Sequence, residues 1–155
     1  MAATASPATL PGHFTFELAE QHARVIYADL DQSYLDFIIK TSRSLGMEAR
    51  VATRLVADDS PRLEEQEVDG VLLVDTCHHM DNSIEYFRKL HRNLKEDGES
   101  MILEYLSHMC TGDLPPVELR VPSDTMVEEL REVGFTRFEV NRQLPDYQYV
   151  LIAET

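Results

Sequence analysis

The chain has 155 residues, 28 acidic against 14 basic, and a formal net charge of −14 at pH 7. That length suits one domain, and 43% hydrophobic with 27% charged residues is ordinary globular composition, which excludes wholesale disorder. The acidic balance argues against nucleic acid, and no apolar run approaches the ~20 residues that a membrane span needs. Two cysteines, Cys77 and Cys110, are too few to frame a small secreted fold. Met1 to Pro7 has neither the basic nor the apolar stretch of a signal peptide, so cytoplasm is the expected location.

After a small-residue opening from Ala2 to Thr9, Phe14, Leu18 and Ala19 recur at helical spacing, which predicts a helix from His13 to about His22. Arg24 to Ala28 is a short apolar run suited to a buried strand. Asp31 to Leu45 places Leu35, Ile38, Ile39 and Leu45 on one helical face, with Gly46 as its C-terminal cap. Arg50 to Val56 alternates and runs into the turn cluster Asp58-Asp59-Ser60-Pro61. Val71 to Val74 is the strongest strand signal in the chain. Asn82 with Glu85 three residues on reads as a capping box, opening a helix that carries Ile84, Phe87, Leu90 and Leu94.

Lys95 to Gly98 then turns the chain into Met101 to Leu103, another apolar strand. Beyond a loop through Pro115, Pro116 and Pro122, Ser123 is the expected cap of a helix bearing Met126, Val127, Leu130 and Val133, stopped by Gly134. Two strands follow, Phe135 to Val140 and Tyr147 to Ala153, with too few residues between them for a helical crossover. The order implies an α/β fold: a mostly parallel sheet, helices on both faces, and a C-terminal antiparallel hairpin. Ligands of such sheets bind at the carboxyl ends of the strands, here Asp29, Asp58-Asp59, Asp75 to His79, and Glu104-Tyr105.

The six glycines never fall two apart, so there is no G-x-G-x-x-G, and the chain has no phosphate-binding G-K loop, H-E-x-x-H or C-x-x-C. Asp29 follows the first apolar strand run, where a carboxylate can accept both hydroxyls of a ribose. A strand-end acid can equally cap the next helix, a role open to Asp31 as well. Asp58 and Asp59 can accept from an adenine amino group or simply belong to a solvated acidic loop. Cys77, His78 and His79, with His108 and Cys110, carry zinc-type ligand atoms, yet adjacent side chains diverge and do not face one ion, so no metal is expected. Cys77 is either a nucleophile beside a histidine or, more commonly for such a residue, a small packed hydrophobe.

Several ordered segments resemble the class I S-adenosylmethionine-dependent methyltransferases, in the branch related to ubiquinone and menaquinone biosynthesis enzymes. Val68 to Asp75 is similar to that family's fourth strand, Cys77-His78-His79 to its D-x-x-H-H turn, and Leu94 to Gly98 to its L-K-P-G-G turn. Tyr86 to Leu90 falls in the helix between those two turns, and Gly134-Phe135 matches the G-F before the terminal hairpin. The resemblance covers about residues 12–155, an expected α/β domain, with 1–11 an irregular N-terminal segment. It implies S-adenosylmethionine as cofactor, with Asp29 on the ribose, Asp58 or Asp59 on the adenine, Gly12 at the methionine end and Asp75 at the edge of the donor pocket. His78 or His79 would take a proton from a small-molecule acceptor.

The family's first strand and its glycine-rich loop belong before Phe14. Only Gly12 fits, as the final glycine, with Leu10 and Pro11 before it. An Ala/Thr/Ser/Pro-rich opening is not expected to supply a buried central strand, so the chain reads as a methyltransferase fold cut at its first motif, with the first strand missing. Such a sheet would leave backbone groups unpaired unless its neighbours close up. The alternative function follows from that loss: a non-catalytic, methyltransferase-like protein, its sheet completed by a partner chain or a second copy through strand addition.

Overall fold

The computed structural model describes residues 2–5, 12–106, 116–143 and 148–155. Its elements run β1 (Ala2–Ala5), α1 (His13–Glu20), β2 (Val25–Asp29), α2 (Gln32–Ser44), β3 (Val51–Leu55) and β4 (Val68–Val74). There follow α3 (Ser83–Asn93), β5 (Leu94–Tyr105), α4 (Ser123–Val133), β6 (Arg137–Asn141) and β7 (Gln148–Glu154). The strands form one seven-stranded sheet in the order β3-β2-β1-β4-β5-β7-β6. β1 to β5 pair in parallel, while β7 runs antiparallel to both β5 and β6. The mostly parallel sheet and its terminal hairpin are those expected.

The first strand is the exception, and it corrects the expectation. Ala2–Ala5 occupies the central slot between β2 and β4, with Ala2 opposite both Ile26 and Val71 and Ala5 opposite Val74. The residue types before Gly12 argued against a strand because they lack large apolar side chains. Parallel pairing, however, is made by the backbone, and β2 and β4 each present N–H and C=O groups to that slot. Four short residues fill it. The slot thought open to a partner chain is therefore taken by this chain, and residues 1–11 are not irregular throughout; 6–11 lie outside the described residues.

The run Val68–Val74 is apolar without alternation because the sheet is covered on both sides. Val71 and Leu73 point to the face packed by Tyr86, Phe87 and Leu90 of α3 and Met126 and Leu130 of α4. Leu72 and Val74 point to the opposite face with Ala19 of α1 and Leu35 and Ile38 of α2. Each fully buried large apolar side chain, such as Phe87 or Ile38, contributes about 1.5–3 kcal/mol over remaining exposed.

The caps of α2 and α3 are as expected, and two local readings shift. Asp31 caps α2 by accepting from the Ser33 N–H at 2.8 Å, and Gly46 takes the left-handed conformation (φ 68°) that ends the same helix. Asn82 caps α3 through the Glu85 N–H at 3.3 Å. Ser123, by contrast, is not a cap: Pro122 precedes the helix, and the Ser123 hydroxyl accepts from Arg142 Nε at 2.9 Å. The 95–98 segment, expected as a turn, lies within β5 as an irregularity between the Val68–Leu94 and Gly70–Glu99 pairs, where Asp97 adopts φ 61°.

Candidate functional site

All five parallel strands point their carboxyl ends the same way, so Asp29, Asp58, Asp75 and Glu104 come to one edge of the sheet. Gly12 joins them at the start of α1. Its φ of +84° is one that L side chains avoid, and an added Cβ would lie 2.2 Å from Ile38 Cδ1 and 2.9 Å from Phe16 Cε2. Only glycine lets α1 begin this close to α2.

Asp29 ends β2 with both carboxylate oxygens engaged. Oδ2 accepts from the Tyr27 hydroxyl at 2.9 Å, and Oδ1 accepts from the Asp31 N–H at 2.9 Å. It braces the chain into α2, and each oxygen retains a second lone pair. Burial, reinforced by the Asp29 carboxylate, raises the Tyr27 hydroxyl well above its ordinary range, so Tyr27 remains a donor at every physiological pH.

Asp58 and Asp59 lie on the exposed turn closed by Ala57 and Ser60. Lys89 of α3 donates to the Asp59 carbonyl at 2.6 Å and pairs with its carboxylate at 3.4 Å. Both aspartates line a cleft of about 500 Å³ with His79, Asp81, Asn82, Glu85 and Lys89. His79 thus shares a cleft with Asp58 and Asp59. His78, its neighbour, does not line that cleft, although their rings lie 4.1 Å apart.

The second group is buried at the ends of β4 and β5. Asp75 is 1% exposed and adopts φ 49°, a left-handed conformation that Asp tolerates better than most residues. Its Oδ1 accepts from Gln148 Nε2 at 3.0 Å, whereas Oδ2 has no hydrogen-bond partner among the described residues. Burial first, then the nearby Glu104, push the Asp75 carboxyl up to about 6, against the opposing pull of Gln148, Tyr105 and His78. Tyr105 is in turn raised to about 12, chiefly by burial and then by Asp75.

Glu104 was named only as a strand end, and its part in the site was missed. It is 1% exposed, with Oε1 accepting from the Cys77 N–H at 2.6 Å and Oε2 lying 3.0 Å from His78 Nδ1. The hydrogen bond to Glu104 raises the His78 imidazole above its ordinary range, while burial and the neighbouring His78 lower His79. A signal was present: Glu104 is in phase with Ser100 and Ile102, so the period of the strand assigns it to the interior. Cys77 is fully buried and its thiol is driven far up by burial and the surrounding carboxylates, which leaves it a packed hydrophobe and not a nucleophile. Among the described residues no group of His, Cys, Asp and Glu is arranged to hold a metal ion; His108 and Cys110 lie outside them.

A doubly covered, mostly parallel sheet with acids at the carboxyl ends of β2, β3 and β4, and a glycine-led helix after β1, defines a Rossmann-like α/β protein, a fold whose ligands bind at the strand ends. Residues 7–102 match the methyltransferase domain family, and the chain belongs to that family, within the class I S-adenosylmethionine-dependent methyltransferases. S-adenosylmethionine is its cofactor. No curated protein matches the chain.

Among solved structures, a SAM-dependent methyltransferase from Aquifex aeolicus superposes with a TM-score of 0.81 at 16% identity, over 99% of this chain and 81% of that one. The 1,6-didemethyltoxoflavin-N1-methyltransferase of Burkholderia thailandensis, solved with 1,6-didemethyltoxoflavin and S-adenosylhomocysteine, gives 0.73 at 22% identity, over 99% and 70%. The cyclase SpnF gives 0.82 at 16% identity, over 99% and 73%. At these identities the likeness is one of fold, and the fold alone does not assign a reaction.

The residues present suit the cofactor. Asp29 keeps a lone pair on each oxygen for a ribose diol, and Asp75 Oδ2, without a hydrogen-bond partner among the described residues, offers a buried negative charge, whereas the space beside Gly12 is filled by Ile38 and Phe16. No helix among the described residues is long and apolar enough to cross a membrane.

Proposed function

We propose that this chain transfers a methyl group from S-adenosylmethionine to a small-molecule acceptor. The observation that carries the reading is Asp75, a carboxylate buried at the carboxyl end of β4 beside Tyr105, whose Oδ2 has no partner at hydrogen-bond distance among the described residues. An unpaired buried charge is costly, and it is retained where a cationic ligand repays the cost. The cofactor, when bound, supplies an electrophilic methyl carbon on a cationic sulfur that leaves as a neutral thioether.

The chain's own residues hold and orient. Asp29 accepts the ribose hydroxyls, Asp58 or Asp59 accepts the adenine amino group, and Gly12 admits the methionine end to the backbone. Asp75 sits at the edge of the donor pocket. Holding the two reactants in line supplies most of the rate in such a displacement. The acceptor's proton passes to His78 or His79, imidazoles whose ordinary pKa lies near neutrality.

The rival reading, a non-catalytic binding protein that has lost the cofactor loop, has no observation in its favour, and the sheet slot it left for a partner chain is filled by Ala2–Ala5. The reaction is tested by incubating the protein with S-adenosylmethionine and a library of small alcohols, phenols and ring amines, then measuring methylated product and S-adenosylhomocysteine together. Replacing the true base, by His78→Ala or His79→Ala, lowers turnover about 10²–10⁴-fold and leaves cofactor affinity within a factor of a few. Equal turnover in both variants would refute a histidine base.

A further inference from the structure

Two adjacent histidines compete for one role, and the hydrogen bonds around them separate the two. We propose that Glu104 is a positioning residue that fixes neutral His78 as the Nδ1–H tautomer, so that His78 Nε2, and not His79, is the atom that takes the acceptor's proton. This rests on the methyl-transfer reading above. It narrows the acceptor to one whose nucleophilic oxygen or nitrogen still carries a proton at neutral pH.

The argument starts from donor and acceptor counts. The Cys77 backbone N–H is always a donor, so Oε1 of Glu104, 2.6 Å away, must accept. An ionised carboxylate is acceptor-only, which leaves Oε2, 3.0 Å from His78 Nδ1, needing a proton on that nitrogen. Neutral imidazole carries one proton, and with Nδ1 holding it, Nε2 is the lone-pair atom. No hydrogen bond among the described residues engages Nε2.

Position strengthens the case. Glu104 is locked by β5, which pairs with β4 on one side and β7 on the other, and its side chain is 1% exposed. The turn it grips, Cys77–His79, begins three residues past the end of β4, so two hydrogen bonds from one buried carboxylate fix both the backbone and the ring. His79 has no such anchor and faces the cleft with Asp58 and Asp59. The ionisable groups acting on His78 are Glu104 from β5 and Asp75 from the end of β4, with His79 on its own turn. Beyond Cys77 lies Glu129 of α4, and Tyr105 borders Asp75. Of these, the Glu104 and Asp75 carboxylates favour a proton held at His78. During transfer the acceptor's O–H or N–H bond would break toward Nε2, the heteroatom would keep the electron pair and bond the methyl carbon as the carbon–sulfur bond breaks and leaves its pair on the sulfur, and His78 would become an imidazolium paired with Glu104.

Histidine nitrogen NMR on the full chain reads this without any acceptor. Long-range proton–nitrogen spectra identify His78 by its loss in His78→Ala. The wild-type chain is expected to show His78 as the Nδ1–H tautomer when neutral, with a titration midpoint above that of His79. Glu104→Gln leaves one acceptor oxygen facing two N–H donors, so it should remove the Nδ1–H preference and lower His78 proton affinity roughly tenfold, about 1.4 kcal/mol. Glu104→Asp should restore part of both. If Glu104→Gln does not fold, the wild-type spectrum alone decides: a neutral His78 protonated at Nε2 overturns the proposal, as does an unchanged midpoint in folded Glu104→Gln. Calorimetric titration of the wild type with S-adenosylhomocysteine is run alongside. Absence of binding there strikes at the methyltransferase reading, whereas a wrong tautomer strikes only at Glu104.

Discussion

Asp75 concentrates the tension between stability and function in one carboxyl. Its folded pKa, about 6, lies above the ordinary 3.8, so between those values the native state holds a proton that the unfolded chain releases. The stabilisation is therefore complete below about pH 4 and is lost as pH rises through 6, leaving a penalty of about 3 kcal/mol at neutrality. His78 behaves with the same sign, its raised imidazole pKa adding stability at acid pH that fades as pH climbs. Asp75→Asn keeps an acceptor for Gln148 and suits the positive φ, so it should raise the urea midpoint at pH 7.5 and remove part of the gain seen between pH 6 and 4. A lower midpoint at pH 7.5 in a folded variant would contradict the assignment. The sequence placed Asp75 at a strand end, but its burial and its unpartnered oxygen depend on Gln148 and Glu104 arriving from distant strands, which no local pattern reports.

At the scale of elements, legibility followed how much each one rests on its own residues. The caps of α2 and α3 were readable because Asp31 and Asn82 bond within three residues, and β4 was readable because both faces of one run are apolar. Ser123 misled because its hydroxyl is claimed by Arg142, which packs in from beyond β6 and also pairs with Asp124. The start of α1 carries a sharper test. Gly12→Ala forces a side chain into φ +84° and a Cβ against Ile38 of α2, so it should cost about 2–3 kcal/mol, read as a lower urea midpoint at unchanged slope. A midpoint equal to wild type would show that the α1–α2 contact relaxes freely.

For the whole molecule, the largest difference between sequence and structure is the central strand. Residue types decided against it, since Ala2 to Ala5 bring little apolar surface; the sheet decides for it, since two parallel neighbours need hydrogen-bond partners across the slot. Once the strand is in place, the parallel strands deliver Gly12, Asp29, Asp58, Asp75 and Glu104 to a single edge. That edge carries part of the net charge of −14.

The account stands on a nucleoside site along this edge, and equilibrium titration with S-adenosylhomocysteine addresses it directly, with wild type and Asp29→Ala compared by calorimetry at the same pH and salt. One saturable site per chain is the predicted result, weakened at least tenfold by Asp29→Ala through loss of the ribose hydroxyl bonds, about 1.4 kcal/mol or more. No binding by folded wild-type protein, or equal affinity in both, would contradict it.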